Sequence, residues 1–134
     1  MLNIRKYLLI IIGLMLIFLQ GCSTLADARK AEGEGNKKTY QAGFDQTWDA
    51  ALKSVSTVKL ELVSDNKVTG TILAQRGMGF FQLSYGENVA VFIKPKSPTE
   101  TTAEVVSKRV MQTNIFAPDW SEDIHKQMAA ILIR

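Results

Sequence analysis

Residues Leu8 to Leu19 form a twelve-residue apolar run broken only by Gly13, set behind the cations Arg5 and Lys6. Twelve helical residues span about 18 Å, well short of a hydrocarbon core near 30 Å. The run therefore reads as the core of a removed secretory signal peptide, with Arg5 and Lys6 as its positive flank. With residues 1–21 set aside as a leader, the remainder suits one domain with one modest core. The leader also distorts the charge. Of 16 basic and 13 acidic side chains, two of the basic ones are Arg5 and Lys6, so the formal +3 falls to +1. Such a balance gives no electrostatic case for a nucleic-acid partner.

Leu19-Gln20-Gly21-Cys22 resembles the lipobox of bacterial lipoproteins, in which a small residue precedes a cysteine. The resemblance implies cleavage between Gly21 and Cys22, diacylglyceryl transfer to the Cys22 thiol, and often acylation of the new amine by a palmitate-type chain. At about 0.8 kcal/mol for each buried CH₂, two or three acyl chains anchor a protein firmly where one would not. Cys22 is the sole cysteine, so no disulfide supports the fold. Ser23 follows it where the enteric sorting rule retains Asp in the inner membrane. The implied location is the periplasmic side of a Gram-negative cell envelope, at the outer membrane.

Residues 22–38 then read as the lipidated cysteine and a flexible tether. Seven of the sixteen residues 23–38 are charged, Gly33 and Gly35 loosen the chain, and no aromatic appears. As a coil this stretch would reach about 20–25 Å. Its cations Arg29, Lys30, Lys37 and Lys38 are nearly cancelled by Asp27, Glu32 and Glu34, so a solvated tether is preferred to a headgroup-binding stripe.

Residues 39–134 carry the pattern of a folded domain. Phe44, Trp48, Ala51, Leu52 and Val55 recur at helical spacing, which predicts a helix over 45–57 with Asp45 as N-cap. Alternation then predicts five strands: Lys59–Val63, Val68–Gln75, Phe80–Tyr85, Val89–Lys94 and Thr101–Val110. Ser64 to Lys67 reads as a turn, and Pro95 and Pro98 are expected to keep 95–100 out of any ladder. A last helix is expected after Pro118 and Asp119, with Glu122 completing a capping box and Trp120, Ile124, Met128, Ile131 and Leu132 forming its apolar stripe. The expected fold is α+β: an antiparallel sheet of about five strands with an N-terminal and a C-terminal helix packed on one face.

This order, with a tryptophan early in each helix and the Val68-Thr69-Gly70-Thr71-Ile72 strand, resembles small lipoproteins of Gram-negative bacteria. It is also similar to the helix-grip domains of the C lipoprotein of the outer-membrane barrel-assembly machine. The similarity covers roughly residues 40–133 and implies a helix-grip domain. That lipoprotein has two such domains and a long arm, whereas one domain and a short tether are expected here.

Catalysis requires a constellation of groups, and the sequence offers little. His125 is the single histidine and is expected to be partly exposed on the last helix. Asp119, Glu122 and Asp123 crowd a helix start, where acids serve capping and the helix dipole. Gly77-Met78-Gly79 lacks the Lys-Ser/Thr of a phosphate loop and precedes a strand. The expectation is a protein that is not an enzyme and takes no metal or cofactor. If Ile72 and Val91 face the helices, Leu73, Phe92 and Val106 would form an apolar island on the open sheet face, a candidate partner surface joined by a hairpin tip at Met78 and Phe80. The favoured function is a lipid-anchored interaction or scaffolding module, bound to the membrane through Cys22 and to an envelope complex. The alternative is a carrier or sensor of a small hydrophobic ligand held between helices and sheet, with Trp48, Trp120, Phe81 and Tyr85 as lining.

Overall fold

The computed structural model describes residues 2–17, 24–76, 86–110 and 118–133. Among them lie four helices and five strands: α1 (Leu2–Ile17), α2 (Leu25–Lys30), β1 (Asn36–Tyr40), α3 (Phe44–Thr57), β2 (Glu61–Asn66), β3 (Thr71–Arg76), β4 (Glu87–Ser97), β5 (Glu100–Arg109) and α4 (Trp120–Leu132). The protein is α+β, with one antiparallel sheet ordered β1-β5-β4-β3-β2. Helix α1 exposes Leu8, Leu9, Ile10, Ile11 and Ile12, and no helix among the described residues is long and apolar enough to cross a membrane.

The set of five described strands is not the expected five. The expected strand Phe80–Tyr85 lies outside the described residues. The fifth strand is β1, which pairs with β5 from Asn36↔Val105 to Tyr40↔Thr101. It comes from the segment that composition assigns to the tether.

Strand alternation sorts the sheet into two faces. Ile72, Ala74, Val89, Val91, Ile93, Ala103 and Val105 join Trp48, Ala51 and Val55 of α3 and Trp120, Ile124 and Met128 of α4 in the main core. The residues between them, Leu73, Ala90, Phe92 and Val106, form a second cluster with Ala28 and Ala31.

Local chemistry accounts for each departure from the expected boundaries. Helix α3 starts one residue earlier than expected, with Gly43 as N-cap; Asp45 lies in the first turn, and Gln46 Oε1 accepts the Gly43 N–H at 3.4 Å. In α4 the cap is Asp119, whose side chain accepts from Ser121 N at 2.9 Å. Glu122 does not close a box there, because its carboxylate is taken by Lys38 and Asn36.

Strand β2 runs through Asn66, and the turn is displaced to Lys67–Gly70. Asn66 Oδ1 accepts Thr69 N at 3.1 Å, and Gly70 supplies the left-handed φ of 66° that closes the turn. The prolines do not interrupt the ladder either. β4 continues through Pro95, which pairs with Thr101, and the hairpin turns tightly at Pro98 and Thr99. Ile93 N donates to Gly70 O at 2.7 Å, so Pro95, two residues on, directs its nitrogen to the same side. β3 has ended there, and the missing donor leaves no ladder bond unmade.

Candidate functional site: a strapped sheet face

The apolar island expected on the open sheet face exists as a cluster, but it is covered. Phe92 and Val106 are 4% and 3% exposed, and Leu73 packs beside them. The cover is residues 24–35, within the segment expected to be a solvated tether. Met78 and Phe80, the other members of that expected surface, lie outside the described residues, as do Gly21 and Cys22.

The cover folds for local reasons. Thr24 caps α2 in a reciprocal box: Thr24 N donates to Asp27 Oδ2 at 2.6 Å, and Asp27 N donates to Thr24 Oγ1 at 3.3 Å. The Thr24 amide, and with it the Thr24 hydroxyl, which donates to Asp27 Oδ2 at 2.9 Å, hold the Asp27 carboxyl below its usual range. One helical turn separates Ala28 from Ala31, so both methyl groups meet the sheet face, while Ala26, Arg29 and Lys30 stay exposed.

The chain then crosses the sheet at Gly33-Glu34-Gly35. The Gly33 and Gly35 amides both donate to Oε1 of Glu104, at 2.6 and 2.8 Å. Glu104 is 5% exposed, and Lys37 Nζ lies 3.7 Å from its other oxygen. Gly35 is sterically required, since a Cβ there would sit 2.6 Å from Val105 O and 2.8 Å from Val106 Cγ2. Two flanking ion pairs complete the fastening, Glu32 with Lys94 and Glu34 with Lys108. Of the three acids that offset the tether's cations in sequence, Glu32 and Glu34 are thus committed to the sheet and Asp27 to the cap of α2.

A second polar cluster joins β1 to α4. His125 is 1% exposed, against the expectation of a partly exposed side chain. Its Nε2 lies 2.9 Å from Asn36 O, which can only accept, so Nε2 carries the proton. Nδ1 then accepts from the Tyr40 hydroxyl at 2.7 Å. Burial, and behind it the Glu122 charge, pushes the Tyr40 phenol up to about 12. Burial also lowers the His125 pKa, so the ring is neutral and both its nitrogens are engaged. Glu122 faces this cluster from α4 and Lys38 from β1, 3.1 Å apart, and Lys38 and Asn36 hold the Glu122 carboxyl below its usual range.

A base whose folded pKa is depressed contributes stability that is complete above its unfolded pKa near 6.5 and is lost progressively as pH falls from there through the lower folded value. We expect the denaturation midpoint to fall between pH 7.5 and 5.5, with a slope from His125 of at most about 1.4 kcal/mol per pH unit. The His125→Gln variant should flatten that segment of the profile. An unchanged slope in equilibrium denaturation would remove His125 as its source.

Trp48 and Trp120, the expected lining of a ligand cavity, are members of the main core, 3% and 7% exposed. Arg76 lies over the Trp120 ring, its guanidinium 5.1 Å from the centroid. Phe81 and Tyr85 lie outside the described residues. Among the described residues, no group of three or more His, Cys, Asp or Glu is placed to hold a metal ion. Open clefts occur elsewhere. One of about 420 Å³ lies between Gln41–Gln46 and the Pro98-Thr99 turn, and a polar one of about 170 Å³ beside Asp119 and Ser121.

No protein-family model and no curated protein matches this chain. One signal for the strap is present in the sequence, since Thr24-x-x-Asp27 is a capping pattern. The alanines that seat the helix are too small to stand out by hydrophobicity.

Proposed function

We propose that this protein is a lipid-anchored, non-catalytic module of the cell envelope, attached through acyl chains on Cys22 and working by contact with an envelope protein complex. The observation that carries the reading is the closeness of fold to anchor. Thr24, the cap of α2, follows Cys22 by two residues, a separation of at most about 7 Å of extended chain. An anchored chain of this kind holds its domain at the bilayer surface, in place of the 20–25 Å leash that composition implies.

We read the arrangement as a helix grip in which α3 and α4 lie side by side on one sheet face. The sharing of the main core by both helices supports this. With the opposite face strapped, the contact surface in this reading is the free edge of the sheet. Every residue of β2 is exposed, Leu62 and Val63 among them, and Val68 at the neighbouring turn is 98% exposed. An edge strand with open backbone groups accepts an extended segment of a partner by strand addition.

A photo-activatable residue at Val63, introduced into wild type and into Cys22→Ser, tests both halves in living cells. The expected result is a discrete protein adduct in the anchored protein, with the Cys22→Ser form absent from the membrane fraction and its adduct lost. Membrane retention and palmitate labelling of Cys22→Ser would overturn the anchor. Absence of any adduct from the anchored protein would overturn the β2 contact.

A further inference from the structure

We propose that residues 24–35 are a releasable strap whose docking sets both how far the domain reaches and whether its outer sheet face is covered. The reach half rests on the anchor reading above. The covering half does not.

The strap is held differently from the rest of the domain. The main core is built from tryptophan, isoleucine, valine and methionine side chains, whereas the strap contributes the methyl groups of Ala28 and Ala31 to the second cluster. Its remaining fastenings are polar. They are the two amides on Glu104 and the pairs Glu32–Lys94 and Glu34–Lys108, whose members are 37–66% exposed. Exposed pairs are weak and are screened by salt.

A pivot is also present. Gly33 has φ of 100°, and a side chain added there would meet no described atom within 4 Å. Once the Gly33 amide leaves Glu104, the backbone can turn there without displacing a side chain, so opening starts at Gly33 and proceeds through Gly35. Small apolar contact, screened charges and a glycine pivot describe a segment that opens without the sheet unfolding.

Opening has two linked consequences. It uncovers Leu73, Ala90, Phe92 and Val106. It also frees the thirteen residues between Cys22 and β1, which as a coil span roughly 20 Å. Docked, the domain sits at the bilayer with its outer face closed. Released, it stands away from the bilayer with that face open.

Thiol labelling of the full-length chain tests the covering half. Val106→Cys reports on the strapped face and Val91→Cys on the main core, and both substitutions nearly conserve size. Val106→Cys should react about tenfold faster than Val91→Cys, because it needs only local opening. Glu104→Gln or molar salt should raise the Val106→Cys rate severalfold and leave Val91→Cys unchanged. Equal rates at the two positions, rising together in Glu104→Gln, would mean the strap opens only with global unfolding and would overturn the proposal.

The reach half is read by energy transfer from a fluorophore at Lys126→Cys to acceptor lipids in phosphatidylcholine–phosphatidylglycerol vesicles. Lower transfer in Glu104→Gln is expected; unchanged transfer alongside faster Val106→Cys labelling would overturn the reach half alone. If the Cys22 thiol itself reacts in the wild-type protein, the anchor reading fails and the reach half with it. The labelling comparison at Val106 and Val91 still decides the strap.

Discussion

Glu104→Ala is expected to free residues 24–35 from the sheet while β3, β4 and β5 stay folded. Two backbone amides, those of Gly33 and Gly35, converge on one carboxylate oxygen that is almost wholly buried. Hydrogen bonds to a charged group contribute about 1.5–3 kcal/mol each, and amides left buried without an acceptor cost about as much. The strap has an escape that a core segment lacks, because its amides can turn to water once it lifts. The loss should therefore be capped at the free energy of strap opening, about 2–4 kcal/mol, and confined to that segment. Amide hydrogen exchange checks this directly. Protection should collapse at Ala28 to Gly35 and persist at Val89 to Ile93. Uniform loss of protection across both segments would show that the strap and the sheet form one cooperative unit.

Gly70→Ala should act globally. Gly70 sits at φ 66°, where an alanine costs about 1–2 kcal/mol. The added Cβ would also lie 2.2 Å from Ile93 O. That oxygen cannot move aside cheaply, since Ile93 N is itself bonded to Gly70 O at 2.7 Å. Relief requires pulling the β2–β3 turn off β4, the central strand of the sheet. A combined cost of about 3 kcal/mol is expected, equivalent to a fall in Tm of roughly 12–24 °C for a domain of this size. A Tm within a few degrees of wild type in calorimetry would mean the turn relaxes without disturbing β4.

These two sites also show what sequence could and could not display. The two amphipathic helices and the strands around Ile72, Val91 and Val105 were legible because alternation and 3.6-residue spacing leave an apolar signature. β1 leaves none. Asn36-Lys37-Lys38-Thr39-Tyr40 has one apolar side chain, and its neighbours serve polar ends: Asn36 O on His125, Lys37 near Glu104, Lys38 on Glu122. A strand stabilised by partners more than 60 residues away cannot be read from a local window.

The strap was hidden for the opposite reason. Its composition is that of a solvated linker because its charges face outward and pair with Lys94 and Lys108 on the sheet. Leu73, Phe92 and Val106 do cluster, and their cover leaves no apolar signal in the sequence because it is made of alanines. Pro95 misled through a rule that holds only where both neighbours of a strand are present.

The two edges of the sheet are unlike, and this limits how copies of the protein can add to one another. At β1, helix α4 takes the Asn36 carbonyl through His125 and binds Asn36 and Lys38 side chains through Glu122, while among the described residues β2 has no such neighbour along its outer side. Growth of a sheet from molecule to molecule without limit needs two receptive rims, one to give and one to take. A chain with a single receptive rim closes after one addition, whether the added strand belongs to a partner or to a twin.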